Sequence, residues 1–199
     1  IKFMFFLICK IIGFKKASNF GKFVGEKIGP IFKSKAIIKK NINLILPNTS
    51  QENIDIITKK MWGNYGRILS EYVFLEGFRK GSLEKYLNIT GLEYLNEIKK
   101  KNIPVVFISG HFNNFELMAM QIEKSGLELG AIYRPLNNFF LNSTMENIRK
   151  KFICRNQIKK GLSGIREILN LFKKNISIAL MIDQRVTEGI KSNFFNLIS

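Results

Sequence analysis

Three short apolar runs in the second half of the chain constrain its fold more than any other feature. They read "PVVFIS" at 104–109, "LELGAIY" at 127–133 and "ISIALMI" at 176–182. Each is shorter than an ordinary buried helix and rich in β-branched and aromatic residues, the composition of a strand. Stretches of helical spacing precede and separate them, over 92–101, 114–124, about 140–152 and 163–174. Strand–helix–strand order with short connections predicts an α/β fold, a mainly parallel sheet covered by helices.

The first half reads differently. Helical spacing over 34–46 stops at Pro47, and the longest helical pattern of the chain follows it. Thr49 and Glu52 match a capping box at its start. Ile54, Ile57, Met61, Tyr65, Ile68, Tyr72 and Leu75 then recur on one face, and Gly63 and Gly66 point to close packing against a neighbour. At the N-terminus, "IKFMFFLICKIIGF" is apolar except for Lys2 and Lys10, and Lys15, Lys16, Lys22 and Lys27 follow. That is shorter than the roughly 20 apolar residues of a spanning helix. Because the chain opens on Ile and not Met, the expectation is the tail of a longer segment, acting as a membrane anchor or interfacial helix over 1–30. A first core helix is the competing reading. Residues 31–199 are expected to form the catalytic domain.

Lys and Arg total 32 against 15 Asp and Glu, a formal net charge of +17. Such a field favours anionic partners. Nucleic-acid binding would gather lysines and aromatics on one element, whereas here the lysines are spread along the chain and phenylalanine sits in apolar runs; no nucleic-acid partner is expected. Cys9 and Cys154 are far apart and His111 is the one histidine. Neither a disulfide scaffold nor a metal site is expected, and no cofactor.

Polar clusters end all three strands: Gly110-His111, Tyr133-Arg134-Pro135 and Asp183-Gln184-Arg185. Ligands of open parallel sheets bind outside the carboxyl ends of the strands, so these clusters are the expected site. Within one helix, His111 and Glu116 would stand about 140° apart and could not meet. They meet if His111 precedes the helix and Glu116 lies in its first turn, with Asn113 as N-cap and Glu116 at N3. The same arrangement serves as a simple capping box. A histidine oriented by a carboxylate is a general base that takes a proton from a hydroxyl. No GxSxG elbow accompanies it, so the attacking oxygen is expected to belong to a substrate. Arg134, held extended before Pro135, suits a phosphate. Asp183 is expected either to pair with Arg134 or to close the strand end.

His111-Phe-Asn-Asn-Phe-Glu116 resembles the H-x4-[D/E] block of the glycerolipid-type acyltransferases. With "YRPLNN" at 133–138, "MIDQR" at 181–185 and "EG…FF" within 188–195, the chain resembles the lipid A biosynthesis late acyltransferases, the lauroyl and myristoyl transferases. The resemblance implies an acyltransferase-like fold and transfer of a fatty acyl chain from acyl carrier protein to a hydroxyl of a Kdo-bearing lipid A precursor. It also implies the cytoplasmic face of the cell inner membrane, with its anionic surface as a further partner. His111 and Glu116 would be catalytic, and Tyr133, Arg134, Asn114, Asp183 and Gln184 substrate-binding. A sibling enzyme acting on a glycerophosphate or mannoside lipid, or an inactive membrane-associated homologue, are the alternatives. Two departures from the family pattern stand out. Asn196 follows Phe195 where glycine is common, and the chain stops at Ser199 where further strands and a helix are expected, as in a fragment truncated at its C-terminus.

Overall fold

A computed structural model describes residues 2–32, 34–135, 139–183, 193–194 and 197–198. The chain divides into two compact units, 1–88 and 89–199.

The first unit is helical. Helix α1 (Lys2–Ile12) ends at Gly13, whose φ of 80° breaks it from α2 (Phe14–Ile28). A short 3-10 turn then leads to α3 (Lys35–Ile45), the long α4 (Gln51–Glu71) and α5 (Leu75–Arg79). Helices α2 and α4 pack so closely that a Cβ on Gly21 or Gly66 would run into the other's carbonyl oxygen. The glycines singled out in the sequence therefore form the contact, as expected. Arg67 locks it by donating to Ser18 Oγ at 2.8 Å and Asn19 Oδ1 at 3.0 Å. On the expected apolar stripe of α4, Ile54, Ile68, Tyr72 and Leu75 are buried but Tyr65 is exposed.

The cap of α4 lies one residue later than expected. Ser50 is the N-cap and its Oγ accepts the Asn53 N–H at 3.3 Å. Thr49 instead donates its hydroxyl to Leu46 O at 2.7 Å, closing the turn that Pro47 and Asn48 (φ 65°) make. The expected anchor finds no support as a spanning helix. Among the described residues no helix is long and apolar enough to cross a membrane, and α1 has 11 residues.

The second unit is α/β, with a parallel sheet and helices, as the alternating pattern predicts. It opens with α6 (Leu92–Lys101), capped by Asn102 in the left-handed region at φ 50°. Strands β1 (Val106–Ser109), β2 (Leu129–Tyr133), β3 (Asn156–Lys159) and β4 (Ser177–Met181) follow, interleaved with α7 (Glu116–Lys124), α8 (Phe139–Phe152) and α9 (Leu162–Lys173). All four strands are parallel, in the order β1-β4-β2-β3. Residues 193–194 and 197–198 pair as two further antiparallel strands, β5 (Asn193–Phe194) and β6 (Leu197–Ile198).

Helix α9 covers one sheet face with a core of Ile158, Leu171, Ile176 and Ile178, joined by Ile132, Phe172 and Leu180. Alternation along β2 turns Tyr133 to the face opposite Ile132, towards α8. Two sequence readings are corrected here. The first strand is not a buried one: it lies at the sheet edge, with Val106 46% and Ile108 63% exposed. Strand β3 went unrecognised because "NQIK" is short and polar, which an edge strand can be.

Candidate active site

The order of the sheet brings His111 and Asp183 together. Strands β1 and β4 are parallel neighbours with Ser109 opposite Met181. His111 and Asp183 each come two positions beyond that last pair, and the Ile182 N–H still donates to Ser109 O at 3.0 Å. Asp183 Oδ1 consequently lies 2.7 Å from His111 Nδ1, and Oδ2 accepts the His111 backbone N–H at 2.6 Å. Partial burial opposes the charge on Asp183. The bonds from the His111 N–H and ring outweigh it and hold the carboxyl below its ordinary range. The Phe115 ring stands edge-on to the imidazole, with centroids 4.6 Å apart.

The backbone makes this possible through two special residues. Gly110 leaves room where a Cβ would meet Asp183 Oδ2 at 3.0 Å and Phe112 Cε2 at 2.8 Å. Asn113 takes the left-handed conformation, φ 44°, which turns the chain from β1 towards α7. Asn113 therefore does not cap α7. The helix begins at Glu116, with Phe115 in the capping position and no side-chain cap. Glu116 is N1 and not N3, so the capping-box expectation is overturned.

Glu116 is buried and ion-paired instead. Its Oε1 accepts Arg149 Nε at 2.8 Å and Nη2 at 2.6 Å, from α8. The Arg149 guanidinium also lies over the Tyr133 ring, 5.9 Å from its centroid. The Tyr133 hydroxyl donates to Glu146 Oε2 at 2.9 Å, and Lys150 pairs with that carboxylate at 2.8 Å. Burial first, then the bond to Glu146, pushes the Tyr133 phenol up to about 12.

Asp183, weighed in the sequence as a partner of Arg134, is thus bonded to His111. Arg134 is exposed beyond the end of β2. Strand β2 is the neighbour of β4 on the side away from β1. His111 and Arg134 therefore rise from strands two spacings apart, about 10 Å. Asn114 is half-buried in the turn opening α7, where its carbonyl accepts the Leu117 N–H at 3.1 Å. Gln184 lies outside the described residues. Arg149 and Glu146 were missed in the sequence. Nothing separates Arg149 from Lys150 and Lys151 in "ENIRKKF" until α8 is seen to turn it inward.

The arrangement is one that general-base chemistry can use. A carboxylate facing Nδ1 favours the tautomer protonated there, which leaves Nε2 the ring nitrogen suited to accept a proton. Cys9 and Cys154 are both buried and unbridged, and burial raises the Cys154 thiol to about 12.

Known proteins with related sequences identify the family. A family model described as "Bacterial lipid A biosynthesis acyltransferase" matches residues 1–197. The lipid A biosynthesis palmitoleoyltransferase of Escherichia coli (strain K12) is 26% identical over 174 residues, covering 81% of this chain and 53% of that protein. The lipid A biosynthesis myristoyltransferase of the same organism is 21% identical over 135 residues, covering 68% and 41%. The chain spans about half the length of the curated relatives it matches. From its N-terminal helices through the sheet that carries His111, it belongs to the bacterial lipid A biosynthesis acyltransferase family.

Proposed function

We propose that the protein containing this chain transfers a fatty acyl group from acyl carrier protein to a hydroxyl of a Kdo-bearing lipid A precursor, with His111 as general base. The observation that carries the reading is the double hold of Asp183 on His111. The acceptor hydroxyl gives its proton to Nε2 as its oxygen attacks the thioester carbonyl. The C–S bond then breaks, and the proton passes to the departing thiolate. General-base help of this kind contributes roughly 10²–10⁴ in rate. No nucleophilic side chain is required, in keeping with the missing GxSxG elbow.

Glu116 takes part from the first residue of α7, anchored by Arg149, so that the turn carrying His111 is fixed at both ends. Arg134, Asn114 and Gln184 are assigned to the phosphorylated acceptor or the thioester oxygen. The excess of lysine favours both the acidic carrier protein and an anionic bilayer surface. Residues 1–30 are read as lying in the interface at the cytoplasmic face of the inner membrane. The apolar side of α1 supports this, with Met4 and Ile11 more than half exposed.

The test is an assay of the full-length protein with acyl carrier protein thioesters of several lengths and a Kdo-bearing acceptor. His111→Ala is expected to abolish transfer while the melting temperature holds. An alanine variant that still transfers acyl groups rejects the assignment of the base.

A further inference from the structure

Helix α3 leaves most of its apolar side uncovered. At about 100° per residue, Ile37, Ile38, Ile42, Leu44 and Ile45 share an arc of roughly 160°, interrupted only by Asn41. Of these, Ile38 alone is buried, while Leu44 is 65% and Ile45 76% exposed. Ile31 and Phe32 before the helix, and Leu46 after it, are exposed as well. Isolated exposed apolar residues need no explanation, but a contiguous group along one helix marks a contact surface.

The border of this face is cationic. Lys40 stands at one margin, one turn from Leu44, and Lys35 and Lys39 stand at the other. No Asp or Glu occurs anywhere from Lys27 to Gln51. Beside Lys35 and Lys39 runs a groove of about 430 Å³, lined also by Lys59, Glu26 and Asp55. Three lysines against two carboxylates leave that wall positive too. A second copy docking face to face would set each lysine border against its like. An anionic bilayer instead accepts the apolar side chains among its acyl chains while the lysines reach the lipid phosphates.

We infer that α3 with its flanks, residues 31–46, lies in the surface of an anionic lipid bilayer as a membrane-contact element separate from residues 1–30. This holds whether or not His111 is the base, because no residue of the site takes part.

The test uses the full chain with Ile45→Cys carrying an environment-sensitive NBD label; Cys9 and Cys154 are buried and do not compete. Vesicles containing phosphatidylglycerol are expected to shift the label's emission to the blue, and phosphatidylcholine vesicles are not. Unlabelled Leu44→Asn/Ile45→Asn should bind the anionic vesicles about tenfold more weakly at unchanged melting temperature, and Lys40→Gln about fivefold more weakly. Binding without any shift at position 45 would mean that another segment makes the contact, and overturns the inference. So does an equal shift on neutral vesicles. A shift that appears on raising protein concentration without lipid assigns the face to self-association and overturns it as well.

Discussion

Asp183 grips His111 at two points, one carboxylate oxygen 2.7 Å from the ring Nδ1 and the other 2.6 Å from the backbone nitrogen. The second contact fixes where the residue begins and the first fixes how its ring turns. Asp183→Asn separates these roles. The amide oxygen can still accept the backbone N–H, but the NH2 then faces Nδ1 and forces the tautomer that carries its proton on Nε2. The base is lost with the geometry kept. In full-length enzyme kcat is expected to fall about 10²–10⁴-fold with little change in KM. Steady-state kinetics decide it: a variant within about threefold of wild type, well below that range, removes Asp183 from the mechanism.

Gly110→Ala probes the same contact from the backbone. The added methyl meets Phe112, whose exposed ring can swing away, and Asp183 Oδ2, which is held by the His111 N–H. Relief therefore comes by pushing Asp183 off His111. The expected outcome is a kcat loss of about tenfold or more with a small drop in melting temperature. Full activity in this variant would show that the carboxylate has room to move and that its second contact is dispensable.

Glu116 and Arg149 form a pair whose partners are both largely shielded, with 7% and 17% of their side chains exposed. Removing one partner breaks a buried charge-assisted contact, at about 3–5 kcal/mol. Loss of a helix cap would instead cost about 1 kcal/mol. Urea unfolding of Glu116→Gln, Arg149→Met and the double variant measures the difference. The double variant is expected to be more stable than the sum of the singles predicts, by about 1–3 kcal/mol. Simple additivity would return Glu116 to the role of a lone helix-start carboxylate.

The sequence made the parallel sheet and the edge carrying the site legible because both follow from local pattern: apolar runs of strand length, each ending in polar residues. What it could not give was the spatial order of strands. Chain order makes the strand of Tyr133 the natural neighbour of the one before His111, whereas β4 intervenes and brings Asp183 to the histidine. The pairing of Glu116 was hidden for the same reason, since Arg149 reaches it from a different helix, 33 residues on. The cap of α4 failed at shorter range. Thr49 and Ser50 are both acceptable caps in composition, and the turn after Pro47, which takes the Thr49 hydroxyl, decides between them.

Tyr133 carries the last prediction, on the alkaline side. Its phenol is raised from the ordinary value of 10.0 to about 12, mainly by burial and then by its bond to Glu146. A folded-state pKa above the unfolded one means that the folded chain keeps its proton longer. The resulting stability is fully present below pH 10, the unfolded value, and is lost as pH rises from there through about 12. Within that window this one group can lower the unfolding free energy by at most about 1.4 kcal/mol per pH unit. Other groups titrate there too, so the comparison is with Tyr133→Phe, whose stability should fall less steeply over the same range. Phenolate absorbance offers a second readout: the difference between the wild-type and Tyr133→Phe titrations is expected to rise near pH 12 in the folded chain. If that difference rises at the ordinary value of 10.0 instead, Tyr133 is not buried against Glu146, and the packing of α8 on β2 is wrong.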